Sequence, residues 1–226
     1  SGKGAILENA AVPAAIVTAS ALRLSAVNTS LLNNANQVGT LAGSISGDAQ
    51  GLDFTNARAL SVGSVLGTDG LAIGSPASRG TLTLDTAGAP AGTGTISQTQ
   101  SIATGGLLVK STGDVTLTNP ANNAATLAAD TAGGNLSYVD ADNLAVGTLA
   151  PNAGGGALAG VAAGTTSGGA TVKLESVAGA LSSATALNFS VSAIDPARAT
   201  PIRHLVNTCS DLPALLQGGV LPPEVS

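Results

Sequence analysis

The sequence predicts an all-β solenoid, a β-helix of stacked coils, on three observations. Short alternating runs recur along the chain: Leu22-Arg-Leu24, Leu60-Ser-Val62, Thr81-Leu-Thr-Leu84, Val115-Thr-Leu117, Leu144-Ala-Val146 and Val172-Lys-Leu174. Each places apolar residues at i and i+2, on one face of a strand, and each is bounded by Gly, Asn, Asp, Pro or Ser. Helical signals are nearly absent before the last thirty or so residues. The third observation is a long internal repeat. Asn36 to Ala42, NQVGTLA, matches Asn122 to Ala128, NNAATLA, at an offset of 86 residues. Leu52 to Val65 matches Leu136 to Leu149 at an offset of 84, and a loop between Ala42 and Leu52 absorbs the difference.

The short strands alone fit a sandwich, a barrel or a solenoid; the repeat decides among them. Leu52, Phe54, Leu60, Val62 and Gly63 return as Leu136, Tyr138, Leu144, Val146 and Gly147, while Asn56 and Arg58 drift to Asp140 and Asp142. A sandwich seldom repeats itself, because each strand has a different neighbour. A β-helix does, because each coil buries its interior only against another like it. With coils of about twenty residues the repeat spans about four, and the chain about ten, forming a rod roughly 50 Å long at about 4.8 Å per strand. Leu60, Val62, Leu144 and Val146 are expected to point inward.

The elements follow in order. Gly4-Ala-Ile-Leu-Glu8 echoes Gly94-Thr-Ile-Ser-Gln98, so a unit opens with G-x-I-x-[EQ]. Asn33, Asn36, Asn119, Asn122 and Asn123 are candidates for stacked corner residues, where an amide bonds the next coil and left-handed backbone is tolerated. Their other reading is as ordinary turn residues. After Val172 the repeat fades, with Leu187-Asn-Phe189 as its last strand. Residues 1–195 form the solenoid region. From 196 to 226 the composition changes, with Arg198, Arg203, His204, Cys209 and five prolines. Within this segment Ser210 or Asp211 caps a short helix that runs to Gln217 and stops at Gly218. The segment reads as a lid or as a handle for another chain.

Composition narrows the function classes. Thirty glycines call for many turns, and with aromatics at 1% and charged residues at 9% the surface is left to Ser, Thr, Asn and Ala. Hydrophobic content of 44% excludes plain disorder. A net charge of −5 with eight Lys and Arg gives no cationic patch for nucleic acid. The longest uncharged run, Asn143 to Val172, is broken by Pro151 and many glycines and fails as a membrane-spanning helix. The absence of Met is expected of a processed or excised chain. One Cys forms no internal disulfide.

No catalytic, cofactor-binding or metal-ligating residue is assigned, and no cofactor. His204 and Cys209 are the only His and Cys, with no orienting group in view and too few ligands for zinc. Asp130, Asp140, Asp142 and Glu175 form a conceivable acid cluster for glycoside chemistry. That chemistry also calls for aromatic platforms, so Asp140-Ala-Asp142 reads instead as a solvated turn. The Gly-rich stretch Gly154 to Gly160 lacks the Lys-Ser/Thr of a phosphate loop.

Gly94-Thr-Ile-Ser-Gln98, Gly113-Asp-Val-Thr-Leu-Thr-Asn119, Asn122 to Ala128 and Leu144-Ala-Val-Gly-Thr148 together resemble the repeat region of large bacterial exoproteins of the filamentous haemagglutinin type, passengers of two-partner secretion. The resemblance covers about Gly4 to Leu174. It implies a right-handed parallel β-helix, export across the outer membrane, and adhesion or matrix work. The chain lacks the family's amino-terminal N-P-N-G-type motif and is short for such a passenger. The expected function is a non-catalytic extracellular structural protein: an adhesin segment or fibre subunit, secreted or at the bacterial cell surface. Its expected partners are a host or matrix glycan or protein, and a second copy joined end to end through the carboxy-terminal segment and the first coil. The alternatives are a polysaccharide-active β-helix enzyme, or a module binding a surface through a Thr-x-Thr ladder. Thr81-Leu-Thr83 and Thr116-Leu-Thr118 occur, but the repeat does not keep them.

Overall fold

The structure is a computed structural model that describes residues 4–8, 15–164, 169–183 and 188–189. The segment 196–226, with His204, Cys209 and the expected helix from Ser210, lies outside the described residues. Among those residues there is no helix, so none long and apolar enough to cross a membrane. Seventeen strands join one large sheet, parallel except for the small hairpin Gly74–Arg79, and two further hairpins form separate two-stranded sheets: a parallel β-helix.

Three ladders of stacked strands form its faces. On the first, Leu7, Leu31, Asp53, Thr83, Leu108 and Ala128 lie one above another, and Val161 and Asn188 continue the stack in neighbouring register. On the second, Leu60, Ile96, Val115, Leu136 and Val172 stack in turn. On the third, Leu24, Gly43, Leu71 and Ile102 do so. The first face thus holds eight rungs among the described residues, and the coils differ in length. Stacked partners lie 19 residues apart at Thr18 and Gln37 but 37 apart at Leu144 and Leu181, because hairpins and loops are inserted between strands.

Alternation decides what fills the interior. Leu52, Phe54, Leu82, Leu84, Leu107, Val109, Leu127 and Ala129 from the first face meet Leu60, Val62, Ile96, Val115, Leu117, Leu136 and Tyr138 from the second. Leu60, Val62, Leu144 and Val146 are all buried in this cluster, as the repeat predicts. Each buried Leu or Val contributes roughly 1.5–3 kcal/mol relative to exposure. Neighbouring rungs of Leu, Val and Ile therefore hold the stack together, with Phe54 and Tyr138 as the buried rings.

The repeat spans three coils and one further face, not four coils. Leu52 stands on the first face and its counterpart Leu136 on the second; Leu60 stands on the second, and Leu144 begins a strand reached from the third. The long strand turns with it. In the amino half, Ser30–Ile45 starts on the first face, passes the corner at Asn36 and carries the second face into the third; in the carboxy half, Asn123–Thr131 carries the third into the first.

Candidate functional site

Two features of the coils carry buried polar chemistry: the corners, and a hairpin laid across the first face. At the corner after the first face, Asn36 and Asn56 are stacked partners and fully buried. Asn36 donates from Nδ2 to the carbonyls of Asn34 (3.1 Å) and of Thr55 in the next coil (3.1 Å), and its Oδ1 accepts the Val17 N–H (2.6 Å). Asn56 accepts the Val38 N–H (2.8 Å) and donates back to the Val38 carbonyl (3.0 Å) and to that of Arg58 (2.9 Å). Each amide joins adjacent coils at a point where the bend interrupts the backbone ladder, which keeps buried N–H and C=O groups paired.

In the second copy of the repeat this corner falls one face further on. Asn122, buried, accepts the Ile102 N–H (2.9 Å) and donates to the carbonyls of Leu117 (3.1 Å) and Val139 (3.0 Å), and it exchanges two bonds with Gln98. Asp140 occupies the place of Asn56. Its Oδ2 accepts the Ala124 N–H (2.9 Å) and the Tyr138 hydroxyl (2.7 Å), and its Oδ1 accepts the Asp142 N–H (3.1 Å). The exchange of Asn56 for Asp140 is matched by that of Phe54 for Tyr138, which supplies a donor to the added carboxylate oxygen. Burial, then the bond to Asp140 and its charge, push the Tyr138 phenol above its usual range.

This corrects the reading of Asp140-Ala-Asp142 as a solvated turn. Asp142 is exposed, whereas Asp140 is fully buried. Of the five asparagines singled out from sequence, Asn36 and Asn122 are buried corner residues. Asn119 accepts the Ala121 N–H in a local turn, Asn123 donates to Asp142, and Asn33 is exposed. None uses left-handed backbone; among described non-glycine residues only Ala49 and Leu66 do. Asn56 and Asp140 complete the set and were missed because stacking joins residues about twenty apart, an offset the long repeat does not display.

The hairpins also repeat. Between the second and third faces the chain leaves the coil at Gly63 and returns at Gly70; between Val146 and Val161 it leaves at Gly147 and returns at Gly160. The same three backbone bonds close both mouths: Gly63 to Leu41, Gly70 to Gly63 and Gly43 to Gly70 in one, Gly147 to Leu127, Gly160 to Gly147 and Ala129 to Gly160 in the other. The first hairpin pairs Ser64–Val65 with Thr68–Asp69 about a tight turn at Leu66 (φ 50°) and Gly67 (φ 74°), the left-handed pair such turns demand. The second pairs Thr148–Leu149 with Leu158–Ala159 and carries the longer loop 150–157.

That longer hairpin is a strap across the outside of the first face. Leu108 and Ala128 point outward yet are fully buried, apart from the interior cluster. Leu149 packs so closely on Gly106 that a Cβ there would lie 2.7 Å from its Cδ2. The tip reaches Asp53, about a hundred residues back in sequence and 1% exposed. Asp53 Oδ1 accepts Asn152 N–H (3.1 Å) and Nδ2 (2.7 Å), and Oδ2 accepts the Ala153 N–H (2.7 Å). Asn152 Nδ2 also donates to the Thr81 carbonyl (3.0 Å). Gly51 makes room for Asn152, since a Cβ there would meet its Oδ1 at 2.1 Å. The repeat places Asn135 and Ser137 where Gly51 and Asp53 stand, so the second copy lacks this receptor. Beneath the strap the Thr83 hydroxyl is buried without a hydrogen-bond partner.

The remaining acids considered from sequence are dispersed. Asp130 is in register with Lys110 on the first face, and Glu175 pairs with Lys173 at 3.3 Å on the exposed second face. Among the described residues no group of three His, Cys, Asp or Glu is placed to hold a metal ion. No family model, no curated protein and no solved structure matches the chain.

Proposed function

We propose that this chain is a non-catalytic structural solenoid, a segment of an extracellular adhesin or a subunit of a surface fibre, as its resemblance to filamentous haemagglutinin-type exoproteins implies. One observation carries the reading: the buried amide and carboxylate side chains are spent on joining coil to coil. Asn36 and Asn122 donate to a backbone carbonyl of another coil, and Asn56, Asp53 and Asp140 accept a backbone N–H from one. A carboxylate engaged on both oxygens by the fold is poorly placed to move protons for a substrate. Asp142 accepts from Asn123, and Glu175 is tied to Lys173. These pairings weigh against the polysaccharide-active alternative. Incubating the protein with polysaccharides and measuring new reducing or unsaturated ends tests the point; product formation abolished by Asp142→Ala would overturn the non-catalytic reading.

End-to-end assembly is part of the proposal. An open edge of a parallel ladder can take another strand, and low net charge weakens repulsion between copies. Electron microscopy of the full chain at high concentration is expected to show linear assemblies. Removal of 196–226, followed by light scattering, is expected to abolish them. A full-length monomer at high concentration would overturn the fibre-subunit form.

A second reading, surface binding, is favoured by one column on the second face. Thr40, Ser61, Ser97, Thr116 and Ser137 stack outward in successive rungs, about 4.8 Å apart. The repeat offset hid this column, because stacking and repetition follow different spacings. Co-sedimentation with insoluble glycans separates the readings: retention lost in Thr116→Glu would support surface binding.

A further inference from the structure

We propose that the strap 148–159 is a clamp that makes the coils beneath it open and close as one unit. In a solenoid each coil contacts only its neighbours, so coils can fray one at a time from an end. The strap breaks that rule. It is rooted in the strand pair Thr148–Leu149 and Leu158–Ala159, packs on Ile102–Ser111 and Asn123–Thr131, and ends on Asp53 in Leu52–Asn56. On the first face it therefore passes the rungs at Ala128, Leu108 and Thr83 before reaching Asp53.

Three independent details fit a device for joining distant coils. The receptor is built by two residues that depart together from the repeat, Gly51 for room and Asp53 for charge. The strap is the lengthened twin of a hairpin that elsewhere stays short, with both mouths closed by the same bonds. The outward residues under it, Leu108 and Ala128, have become apolar and buried where an uncovered face would carry polar side chains. Opening the coil at Asp53 alone breaks the latch, and opening the coils at Leu108 or Ala128 strips the strap from its bed. Either event weakens the other, so the coils are coupled beyond nearest neighbours.

Native-state hydrogen exchange on the full chain, read by mass spectrometry, tests this. In the unaltered protein, amides of Leu52–Asn56, Thr81–Asp85 and Asn123–Thr131 are expected to share one opening constant. Asn152→Ala removes side-chain bonds to Asp53 and Thr81 from a loop outside the coils. It is expected to speed exchange in Leu52–Asn56 and Thr81–Asp85 by about ten- to hundredfold, and to change Asn123–Thr131 by less than about threefold, so the single unit splits in two. Asp53→Ser, the residue the repeat uses at this place, is expected to do the same, and the double variant no more than either. Should Asp53→Ser fail to fold, Asn152→Ala alone gives the reading. Strands that already open separately in the unaltered protein would overturn the clamp. So would an Asn152→Ala variant in which all three strands speed up alike or none changes.

Discussion

Tyr138→Phe removes one oxygen atom and leaves the packing volume intact, which makes it a sensitive probe of the second corner. The hydroxyl is buried and donates to Asp140 Oδ2, which also accepts the Ala124 N–H. Without it the carboxylate keeps two backbone bonds and loses its only side-chain donor, in a site closed to water. Hydrogen bonds to charged groups contribute about 1.5–3 kcal/mol, and an unmet buried acceptor costs about 1–3 kcal/mol. Tyr138→Phe should therefore lower stability by about 2 kcal/mol. Asp140→Asn on its own should cost less, about 1 kcal/mol or below, since the amide oxygen still takes the Ala124 N–H and the phenol. The double variant restores the Phe54 and Asn56 pairing of the first copy, whose amide donates to the equivalents of Ala124 and Asp142. Tyr138→Phe should thus be nearly harmless in the Asp140→Asn background, a coupling of about 1–2 kcal/mol. Urea midpoints for the four proteins, at a common slope, give the cycle. Equal costs of Tyr138→Phe on both backgrounds would refute the argument that phenol and carboxylate changed together.

Three further outcomes are expected. Tyr138 is the only tyrosine, and its phenol is held above the ordinary value of about 10, so the folded state keeps a proton that the unfolded chain releases. The Tyr138 contribution to stability is then intact below about pH 10 and falls by about 1.4 kcal/mol per unit above it, a limb that Tyr138→Phe should abolish; tyrosinate absorbance should appear only with unfolding. Leu144→Ala, at a fully buried site, should cost about 2–5 kcal/mol, while the exposed Asp142→Ala should stay within about 0.5 kcal/mol, as read from denaturant midpoints. Gly51→Asn, which inserts the repeat's own residue under the strap tip, should release the tip while leaving the far-ultraviolet strand spectrum unchanged; limited proteolysis within 150–157 would report it, and unaltered resistance would count against the fit.

The inward residues were legible because their requirement is local: Leu60 and Leu144, or Val62 and Val146, must be apolar wherever they stand. Their place in the coil was not, because matching sequence shows that two segments are alike and not that they are stacked. Hairpins between Val62 and Leu71 and between Val146 and Val161 lengthen some coils, so twenty residues per coil was too short. The strap was invisible for a related reason. The sequence match stops at Val65 and Leu149, where the loops diverge in length, and nothing in an isolated Asp53 announces a partner a hundred residues away. Asp140 misled because an acid in an Asp-x-Asp run is usually solvated, and only the structure reveals the phenol that compensates its burial.

The two copies of the repeat look out in different directions. Three coils and one face of advance turn the second copy by a third of a revolution about the stacking direction, so whatever borders one copy does not border its twin. Duplication in such a chain preserves depth, meaning which side chains lie within, and leaves bearing free. The advance of this repeat is counted in walls and not in whole windings. That freedom lets Phe54 and Tyr138 keep the same interior role while Asp53 and Ser137 diverge. The receptor stands on the wall that the longer hairpin reaches, and its twin faces elsewhere.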